Sequence, residues 1–356
     1  MMLSCFKAYD IRGRLGDELD EAIARRIGRA AAEELGAGRV VLGRDCRASS
    51  QALADAVAEG LMAAGAEVLD LGLCGTEEMY AATTDLAADL GIEVTASHNP
   101  MDYNGMKLVQ AGSAPIGPDT MARIRARAEA ADFGPAKGGS RASATGARAA
   151  YVARVTGFVD RDALRPLRIL VNAGNGAAGP TFDAIADALA GAPLTFLRMN
   201  HAPDGRFPHG IPNPLLPENQ PPTARAVVEA GADFGVAWDG DFDRCFFFDH
   251  AGAFVPGEYV VGLLAEAFLA REPGAAIVHD PRVVWNTADV VARAGGQAVQ
   301  ARTGHAFLKA ALRETGAVYG GEMSAHHYFR DFMCCDSGMI PWLLVAELVS
   351  RRGQAL

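Results

Sequence analysis

The hydrophobic positions of this chain repeat one pattern three times. Short apolar runs rich in β-branched residues begin at Arg39, Leu167 and Ala275, and a helical pattern and a second apolar run follow each of them. The predicted helices lie near Ser50 to Ala64, Pro180 to Ala190 and Asn286 to Ala294. Short strands that alternate with helices indicate βαβ units. Three such units predict an α/β protein built from three similar domains.

Interruptions of this pattern suggest where the domains end. Residues 134–149 are rich in Gly, Ser and Ala and have no apolar periodicity, which is typical of a linker. A second boundary falls near residue 252. We therefore predict domains at residues 1–140, 147–252 and 253–352.

Composition and charge narrow the function classes. The chain has 356 residues, of which 50% are hydrophobic, and a formal net charge of −10. Because no cluster of Lys and Arg offsets that charge, nucleic acid is not an expected partner. The N-terminus has no apolar signal core, and the most apolar stretch near the end is too short to span a bilayer. Six scattered cysteines without metal-ligand spacing predict reduced thiols in a cytoplasmic protein.

An acidic motif, D-G-D-F-D, is the first candidate site. Its carboxylates are Asp239, Asp241 and Asp243, and it lies between two predicted strands. In an extended segment these three side chains would share a face, while Phe242 would point to the core. Neighbouring carboxylates repel unless a cation neutralises them, and hard oxygen ligands suit Mg²⁺. A solvated acidic turn is the alternative; a calcium EF-hand is excluded because its required Gly and Glu are missing.

Two further polar motifs follow predicted strands. The motif T-A-S-H-N-P places Ser97 on a loop at a strand end, where catalytic residues are often held. In the motif G-G-E-M-S-A-H, the alternating Glu322, Ser324 and His326 would face one cleft from an extended strand. From the residues alone, an ordinary polar turn and a solvated edge strand remain the alternatives.

A glycine-rich segment resembles a cofactor signature. Residues Gly174 to Gly179 match G-x-G-x-x-G, the pattern of dinucleotide sites. The next predicted strand ends at Asn200, where such sites carry a ribose-binding acid. Tight packing of strand against helix therefore explains these glycines more simply, and a dinucleotide oxidoreductase is the most distant alternative function.

Taken together, the motifs resemble the α-D-phosphohexomutase family, and most of all its bacterial phosphomannomutase branch. The resemblance runs from about Cys5 to about Glu347 and is carried by four segments: F-K-A-Y-D-I-R-G from Phe6, V-T-A-S-H-N-P-M-D-Y-N-G-M-K from Val94, D-G-D-F-D-R from Asp239 and G-E-M-S-A-H-H from Gly321. It implies α/β domains with mixed sheets arranged around a central cleft. Family members usually carry a fourth, C-terminal phosphate-binding domain, which we expect to be absent here, with reduced turnover as the consequence.

The resemblance also implies roles for individual residues. The implied metal ligands are Asp239, Asp241, Asp243 and an oxygen of phosphorylated Ser97. The implied catalytic groups are Ser97, Lys107, His326 and Arg12. The implied substrate-binding residues are Glu322, Ser324, His305, Arg244, Tyr9 and Arg282, the last standing where many relatives carry Lys.

The implied reaction is that of an intramolecular phosphotransferase. Mannose 6-phosphate and mannose 1-phosphate would interconvert through a phosphoserine enzyme and a hexose 1,6-bisphosphate, which also acts as activator, and the product would supply GDP-mannose synthesis. The expected cofactor is Mg²⁺ and the expected partner is a small sugar phosphate, without nucleic acid or membrane; monomer and homodimer both stay open. A phosphoglucomutase, a dual-specificity hexose mutase and a poorly active sugar-phosphate-binding form are the alternatives.

Overall fold

The computed structural model describes residues 2–356, which fall into two compact units. One unit contains the chain up to Tyr151 together with Asp204–Ile211, and the other contains Val152–Pro203 together with Pro212–Leu356. Among residues 2–356, no helix is both long enough and apolar enough to cross a membrane.

The first unit is built on a seven-stranded mixed sheet. Its strands are β1 (Ile11–Arg14), β2 (Arg39–Arg44), β3 (Glu67–Leu73), β4 (Leu90–Val94), β5 (Tyr103–Gln110), β6 (Ala114–Pro115) and β7 (Ser140–Ser143). Its helices are α1 (Glu21–Leu35), α2 (Ser50–Ala63), α3 (Thr76–Asp85) and α4 (Pro118–Ala130), and α5 (Ala147–Thr156) follows them. The sheet order is β1-β5-β4-β2-β3-β7, with β6 paired to β5.

Local sequence explains where the first of these helices begins and ends. The Asp20 side chain accepts a hydrogen bond from the backbone N–H of Ile23 and so caps α1. Gly36 ends the helix with a left-handed backbone, which glycine adopts without a steric penalty. The buried face of α1 packs against α2 and the sheet in one apolar core.

The second unit contains two five-stranded mixed sheets. The strands of one are β8 (Leu167–Asn172), β9 (Leu194–Met199), β10 (Phe234–Trp238), β11 (Cys245–Phe248) and β12 (Phe254–Val255). The strands of the other are β13 (Ala276–His279), β14 (Gln297–Gln300), β15 (Tyr319–Gly321), β16 (His327–Phe329) and β17 (Cys335–Asp336). The helices are α6 (Ala178–Ala188), α7 (Pro221–Glu229), α8 (Gly257–Arg271), α9 (Val284–Arg293), α10 (His305–Thr315) and α11 (Met339–Arg352).

All three sheets share one topology. A central strand (β2, β8 or β13) has a parallel neighbour on each side, and the second of these neighbours (β4, β10 or β15) pairs with an antiparallel strand (β5, β11 or β16). The order of the second sheet is β12-β11-β10-β8-β9, and that of the third is β14-β13-β15-β16-β17. The prediction of three similar α/β domains with mixed sheets is confirmed. The connection from the parallel neighbour to the antiparallel strand recurs at the same place in each domain.

The predicted βαβ elements match the observed ones closely. The three predicted helices correspond to α2, α6 and α9, with ends displaced by one or two residues. The segment at 134–149 differs from its prediction as a linker, because it contains β7, which pairs in parallel with β3. All four β7 side chains are exposed, so the strand leaves no apolar alternation in the sequence, and it is held by backbone hydrogen bonds and by the ion pair between Arg141 and Asp70. The domain ranges 1–140, 147–252 and 253–352 stay a prediction.

Candidate active site

The three polar motifs of the sequence lie in the three equivalent connections. The β4–β5, β10–β11 and β15–β16 connections carry the T-A-S-H-N-P, D-G-D-F-D and E-M-S-A-H motifs respectively. Each contains one non-glycine residue in the left-handed region, namely Ser97 (φ 50°), Phe242 (φ 48°) and Ala325 (φ 67°). Such conformations are costly and persist where the surrounding structure enforces them. All three loops are therefore held in defined, non-extended shapes.

The Ser97 loop is anchored to a buried carboxylate. The Ser97 N–H donates to Thr95 Oγ1 at 2.8 Å, and that hydroxyl donates to Asp45 Oδ2 at 2.8 Å. Asp45 is buried, and burial raises the pKa of its carboxyl, although neighbouring hydrogen-bond donors oppose the shift. The Ser97 hydroxyl lies 3.0 Å from His98 Nδ1. The backbone N–H of Ser97 thus fixes the loop, and the imidazole of His98 orients the Ser97 hydroxyl.

A buried guanidinium holds the rest of this loop. Arg47 donates to the carbonyl oxygens of Ser97 at 3.0 Å, Asn99 at 2.5 Å, Pro100 at 2.9 Å and Tyr103 at 3.3 Å. One side chain thereby fixes four carbonyls of the loop and of the strand that follows it. Sequence reasoning missed this residue. The available signal was the charged R-D-C-R segment at the end of the apolar run of β2.

We expect Arg47→Leu to disorder the Ser97 loop and displace Ser97, although the substitution removes none of the proposed reacting side chains. The carbonyls would lose charge-assisted donors, and a small displacement of a reacting group costs about a hundredfold in rate. The measurement is the rate at which Ser97 acquires a phosphoryl group from glucose 1,6-bisphosphate, followed by intact mass. Arg206→Leu, which removes an exposed arginine of the same unit, is the matched control. Equal rates for the two variants would show that the clamp does not matter.

Two predicted cations share one face of the first sheet. Arg12 on β1 lies opposite Gly105 on β5, and Lys107 follows two residues later on the same strand. Opposed residues and residues two apart point to the same face, so Arg12 and Lys107 are diagonal neighbours. Gly105 provides the space, because a Cβ there would lie 2.7 Å from Arg12 Nη1. Tyr9, half-buried, lies in the turn before β1.

The acidic motif forms a compact cluster in the second unit. Asp239, Asp241 and Asp243 each offer a carboxylate oxygen, these oxygens lie within 4.8 Å of one another, and all three residues are buried. The extended segment predicted here is wrong, because Phe242 adopts a left-handed backbone and its N–H donates to Asp239 O at 3.2 Å in a turn. Phe242 itself is fully buried, as predicted.

One arginine balances only part of this negative charge. Arg244 is buried and donates to Asp239 Oδ2 through Nε at 2.9 Å and through Nη2 at 2.6 Å. Burial lowers the pKa of Arg244, but the carboxylates of Asp239 and Asp243 outweigh burial and raise it above its ordinary value. Three buried carboxylates whose oxygens lie within 4.8 Å of one another repel, and this repulsion favours a bound metal ion. The all-oxygen donor set fits Mg²⁺.

The glycine-rich segment packs against the β10–β11 loop that carries Asp239, Asp241 and Asp243, which we call the metal loop. A Cβ at Gly176 would lie 2.8 Å from the carbonyl oxygen of Gly240, and the N–H of Ala177 donates to that oxygen at 3.0 Å. A Cβ at Gly179 would lie 2.0 Å from the carbonyl oxygen of His201. Close backbone packing accounts for both glycines, and one of the contacts fixes the loop that carries the carboxylates.

Glu322 accepts two hydrogen bonds in the β15–β16 loop, which carries the E-M-S-A-H motif and which we call the third loop. Its Oε1 accepts from Gly304 N–H at 2.9 Å, and its Oε2 accepts from Tyr328 O–H at 2.7 Å. Arg282 Nη2 lies 3.9 Å from Oε1, and His305 begins α10 directly after Gly304. The second unit thus brings the predicted Arg282, His305 and Glu322 into one neighbourhood.

The extended strand predicted for E-M-S-A-H is wrong. The N–H of Glu322 donates to His326 O at 3.0 Å, and the N–H of Ala325 donates to Glu322 O at 3.1 Å. The segment is a turn between β15 and β16, closed by the left-handed Ala325. The turn still places Ser324 Oγ 3.1 Å from His326 Nδ1.

His326 joins the third loop to the metal loop. Its Nε2 lies 3.6 Å from Asp243 Oδ1, and its Nδ1 lies 3.4 Å from Glu322 Oε2. The backbone supports this approach, since the N–H of Cys245 donates to Ala325 O at 3.1 Å. Burial lowers the pKa of His326, but the surrounding carboxylates outweigh burial and raise it above its ordinary value. A histidine in this position is suited to hold or transfer a proton.

A second group of metal-binding side chains shares one residue with the first. Ligand atoms of Asp243, His326 and Asp336 also lie within 4.8 Å of one another. Asp336, however, is paired with Lys309, whose Nζ lies 2.6 Å from Oδ1. Because the second group includes an imidazole nitrogen while the three aspartates offer only carboxylate oxygens, the cluster of three aspartates is the stronger candidate for a hard divalent cation.

Stability at mildly acidic pH should depend on His327. This residue is fully buried, its Nδ1 lies 2.7 Å from Tyr319 Oη, and burial, with the charge of His326, lowers its pKa from 6.5 to about 3. Between these values the unfolded chain binds a proton that the folded chain does not, so the free energy of unfolding falls as pH drops below 6.5. The loss reaches about 1.4 kcal/mol per pH unit.

Thermal unfolding measured from pH 7 to pH 5 tests this effect. We expect the Tm of the natural chain to fall more steeply than that of His327→Gln, which does not titrate in this range. Parallel pH profiles for the two proteins would rule out His327 as the source.

Comparisons with known proteins agree with this arrangement. The phosphoglucomutase/phosphomannomutase α/β/α domains I, II and III match residues 4–135, 149–252 and 256–356. A phosphomannomutase of Salmonella montevideo is 59% identical over 359 residues, which cover 99% of this chain and 79% of that protein. A protein of Xanthomonas campestris pv. campestris named phosphohexose mutases is 57% identical, covering 100% of this chain and 79% of that protein.

A solved structure shows the same fold. The phosphoglucomutase/phosphomannomutase family protein of Burkholderia thailandensis superposes with a TM-score of 0.90 at 37% sequence identity, covering 98% of this chain and 77% of that one. The three family domains match in chain order, and relatives above 50% identity cover nearly the whole chain. Both findings support a single family assignment. The chain belongs to the phosphoglucomutase/phosphomannomutase family.

Proposed function

We propose that this protein interconverts mannose 6-phosphate and mannose 1-phosphate through phosphorylated Ser97 and a hexose 1,6-bisphosphate. The observation that carries this proposal is the junction in the second unit, where His326 contacts both the carboxylate cluster and Glu322. Phosphoryl transfer to a sugar hydroxyl requires charge neutralisation, a proton acceptor and hydroxyl recognition, and the junction offers groups suited to the three tasks.

The carboxylates of Asp239, Asp241 and Asp243 are the proposed ligands of Mg²⁺, together with a phosphoserine oxygen of Ser97. When bound, Mg²⁺ would neutralise negative charge on the transferred phosphoryl group. Family membership supports the action of these residues on one phosphoryl group.

Two transfers would complete the reaction. In the first, a sugar hydroxyl oxygen bonds to phosphorus and gives its proton to a base, while the bond between phosphorus and Ser97 Oγ breaks and Oγ takes up a proton from an acid. In the second, Ser97 Oγ bonds to the other phosphorus of the bisphosphate and gives its proton to a base, while the bond between that phosphorus and the sugar oxygen breaks and the sugar oxygen takes up a proton. His326 and Lys107 are the proposed acid and base groups, and Arg12 is a proposed cation for the phosphoryl oxygens.

Most of the proposed sugar-binding residues lie in the second unit. The Glu322 carboxylate would accept hydrogen bonds from sugar hydroxyls, and the Ser324 hydroxyl would donate or accept them, with Arg244, Arg282 and His305 as further contacts. In the first unit, Tyr9 is the proposed contact. Carboxylates and hydroxyls bind sugar hydroxyls directly, and the Glu322 carboxylate is held here by Tyr328 Oη and by the N–H of Gly304.

The deciding experiment follows product formation by ³¹P NMR. The full chain with Mg²⁺, catalytic glucose 1,6-bisphosphate and mannose 1-phosphate should yield mannose 6-phosphate, and the chain without bisphosphate should slow as phosphoserine is lost. Absence of any hexose 6-phosphate in the complete mixture would refute the proposal.

A dual-specificity hexose mutase is the second candidate. The observation that favours it is the Xanthomonas relative, which is 57% identical and named for phosphohexoses rather than for mannose phosphate. Running the same NMR measurement with glucose 1-phosphate separates the two, since a mannose-specific protein converts it at least about tenfold more slowly.

The cellular setting follows from the same proposal. We place the protein in the cytoplasm as a monomer or homodimer, supplying mannose 1-phosphate to GDP-mannose synthesis, with small sugar phosphates rather than nucleic acid or membranes as its partners. The net charge of −10 and the absence of a clustered basic segment in the sequence support the part of this proposal that excludes nucleic acid.

A further inference from the structure

A segment that follows β9 in the chain packs within the first unit. This segment, Asp204–Ile211, belongs to the same compact unit as Arg47 and the Ser97 loop. Gly205 forms a parallel bridge with Arg47. A Cβ at Gly205 would lie 2.2 Å from the carbonyl oxygen of Cys46, so the two backbones approach each other with no room for a side chain. The segment therefore lies directly against the residues around Arg47.

Phe207 carries the contact from this segment to the guanidinium of Arg47. The Phe207 side chain is buried, and Arg47 Cζ lies over its ring, 5.5 Å from the centroid. A cation within about 6 Å of the centroid of an aromatic ring is attracted by its face. The backbone of Phe207 is left-handed (φ 45°), its N–H donates to Asp204 O and its carbonyl accepts from Gly210 N–H, both at 2.9 Å. A turn that an apolar residue adopts only under constraint thus presents the ring to Arg47.

The guanidinium of Arg47 is held from its edges and from one face. Nη1 and Nη2 donate to the four loop carbonyls, and Nε lies 3.6 Å from Asp45 Oδ2. The N–H groups lie in the guanidinium plane, so these contacts restrain the group within that plane. The Phe207 ring covers a face and restrains tilt out of the plane. Because Arg47 is 4% exposed, protein groups rather than bulk water aim its donors at the loop.

We propose that Phe207 is a positioning residue, which holds Arg47 in the orientation that fixes the Ser97 loop. The role rests on the proposed function, in which Ser97 Oγ bonds to phosphorus. The Phe207 ring restrains Arg47, and Arg47 in turn restrains the loop carbonyls. A small displacement of a reacting group costs about a hundredfold in rate, so loss of the ring should slow phosphoryl transfer more than it weakens substrate binding.

The first test measures the loop itself by hydrogen exchange and mass spectrometry on the full chain. Phe207→Met keeps a large apolar side chain but removes the aromatic face. The peptide spanning residues 96–104 should exchange at least about threefold faster in this variant, because its amides open locally when the clamp loosens. Phe133→Met is the matched control, since it removes a ring that lies 4.8 Å from Arg29 Cζ in the same unit, and it should leave this peptide unchanged.

The second test asks whether Phe207 acts through Arg47. With mannose 1-phosphate as substrate, Phe207→Met should lower kcat at least about tenfold while KM stays within about threefold. Added to Arg47→Leu, the same substitution should lower kcat by less than about twofold more, because the guanidinium that the ring restrains is already gone. Phe133→Met should leave kcat unchanged in both backgrounds.

The two measurements fail in different ways. Natural exchange of the loop peptide in folded Phe207→Met, or a full further loss of kcat in the double variant, would overturn the proposal, even with a lowered Tm. Phe207→Leu is measured in parallel, so that the result does not depend on one variant folding. If the natural chain converts no hexose phosphate, the proposed function fails, while loop exchange with and without Arg47→Leu still decides whether Phe207 positions Arg47.

Discussion

Ser97→Ala will leave the protein folded and unable to carry a phosphoryl group. In the proposed reaction the hydroxyl oxygen of Ser97 is the atom that bonds to phosphorus, and removal of a nucleophile typically lowers turnover by more than about a thousandfold. The fold should persist because the anchoring contacts of Ser97 use its backbone N–H and carbonyl. Alanine also bears the same left-handed strain as serine, since both have a Cβ.

Intact mass after incubation with glucose 1,6-bisphosphate and Mg²⁺ reports the outcome directly. The natural chain should gain one phosphoryl group and Ser97→Ala none. Ser143→Ala, at an exposed serine on β7, is the matched control and should gain the group normally. A phosphorylated Ser97→Ala protein would move the acceptor to another residue.

The repeated fold was predictable from the sequence because its signal is local. A buried strand such as β8 and an amphipathic helix such as α9 both follow the spacing of their apolar residues, so their bounds agree with the pattern. β7 was not predictable, because four exposed side chains carry no pattern and its pairing with β3 lies far along the chain.

The polar motifs of the candidate site could be located in the sequence, but the shapes of their loops could not be predicted. Alternating polar residues predicted extended segments, whereas Phe242 and Ala325 turn the backbone into the left-handed region. Apolar residues in such conformations give no local warning, since surrounding contacts impose them. Arg47 was missed for a related reason: it holds a loop 50 residues further along the chain, through contacts that no local spacing encodes.

Asp241→Asn is expected to lower phosphoryl transfer about as strongly as Ser97→Ala does, because it weakens binding of the proposed metal ion. Asn keeps the size of the side chain but takes away the charge that a hard divalent cation prefers. Mg²⁺ binding, measured by calorimetry, should weaken by more than about a hundredfold, and phosphorylation of Ser97 should become too slow to detect. Asp289→Asn, at a residue whose side chain is 67% exposed, should bind Mg²⁺ like the natural chain.

The thermal stability of Asp241→Asn distinguishes loss of metal binding from misfolding. The two explanations predict changes of opposite sign in the Tm measured without Mg²⁺. Three buried carboxylates repel one another, and Arg244 engages Asp239, so removing one charge should leave the Tm without Mg²⁺ unchanged or higher. Saturating Mg²⁺ should then stabilise only the natural chain, by about 2.7 kcal/mol at a hundred times Kd. A misfolded variant would instead melt lower in both conditions. Equal stabilisation of both proteins by Mg²⁺ would mean that the cation binds away from these aspartates, and phosphoryl transfer would then have to draw its neutralising charge from Arg12 and Lys107 alone.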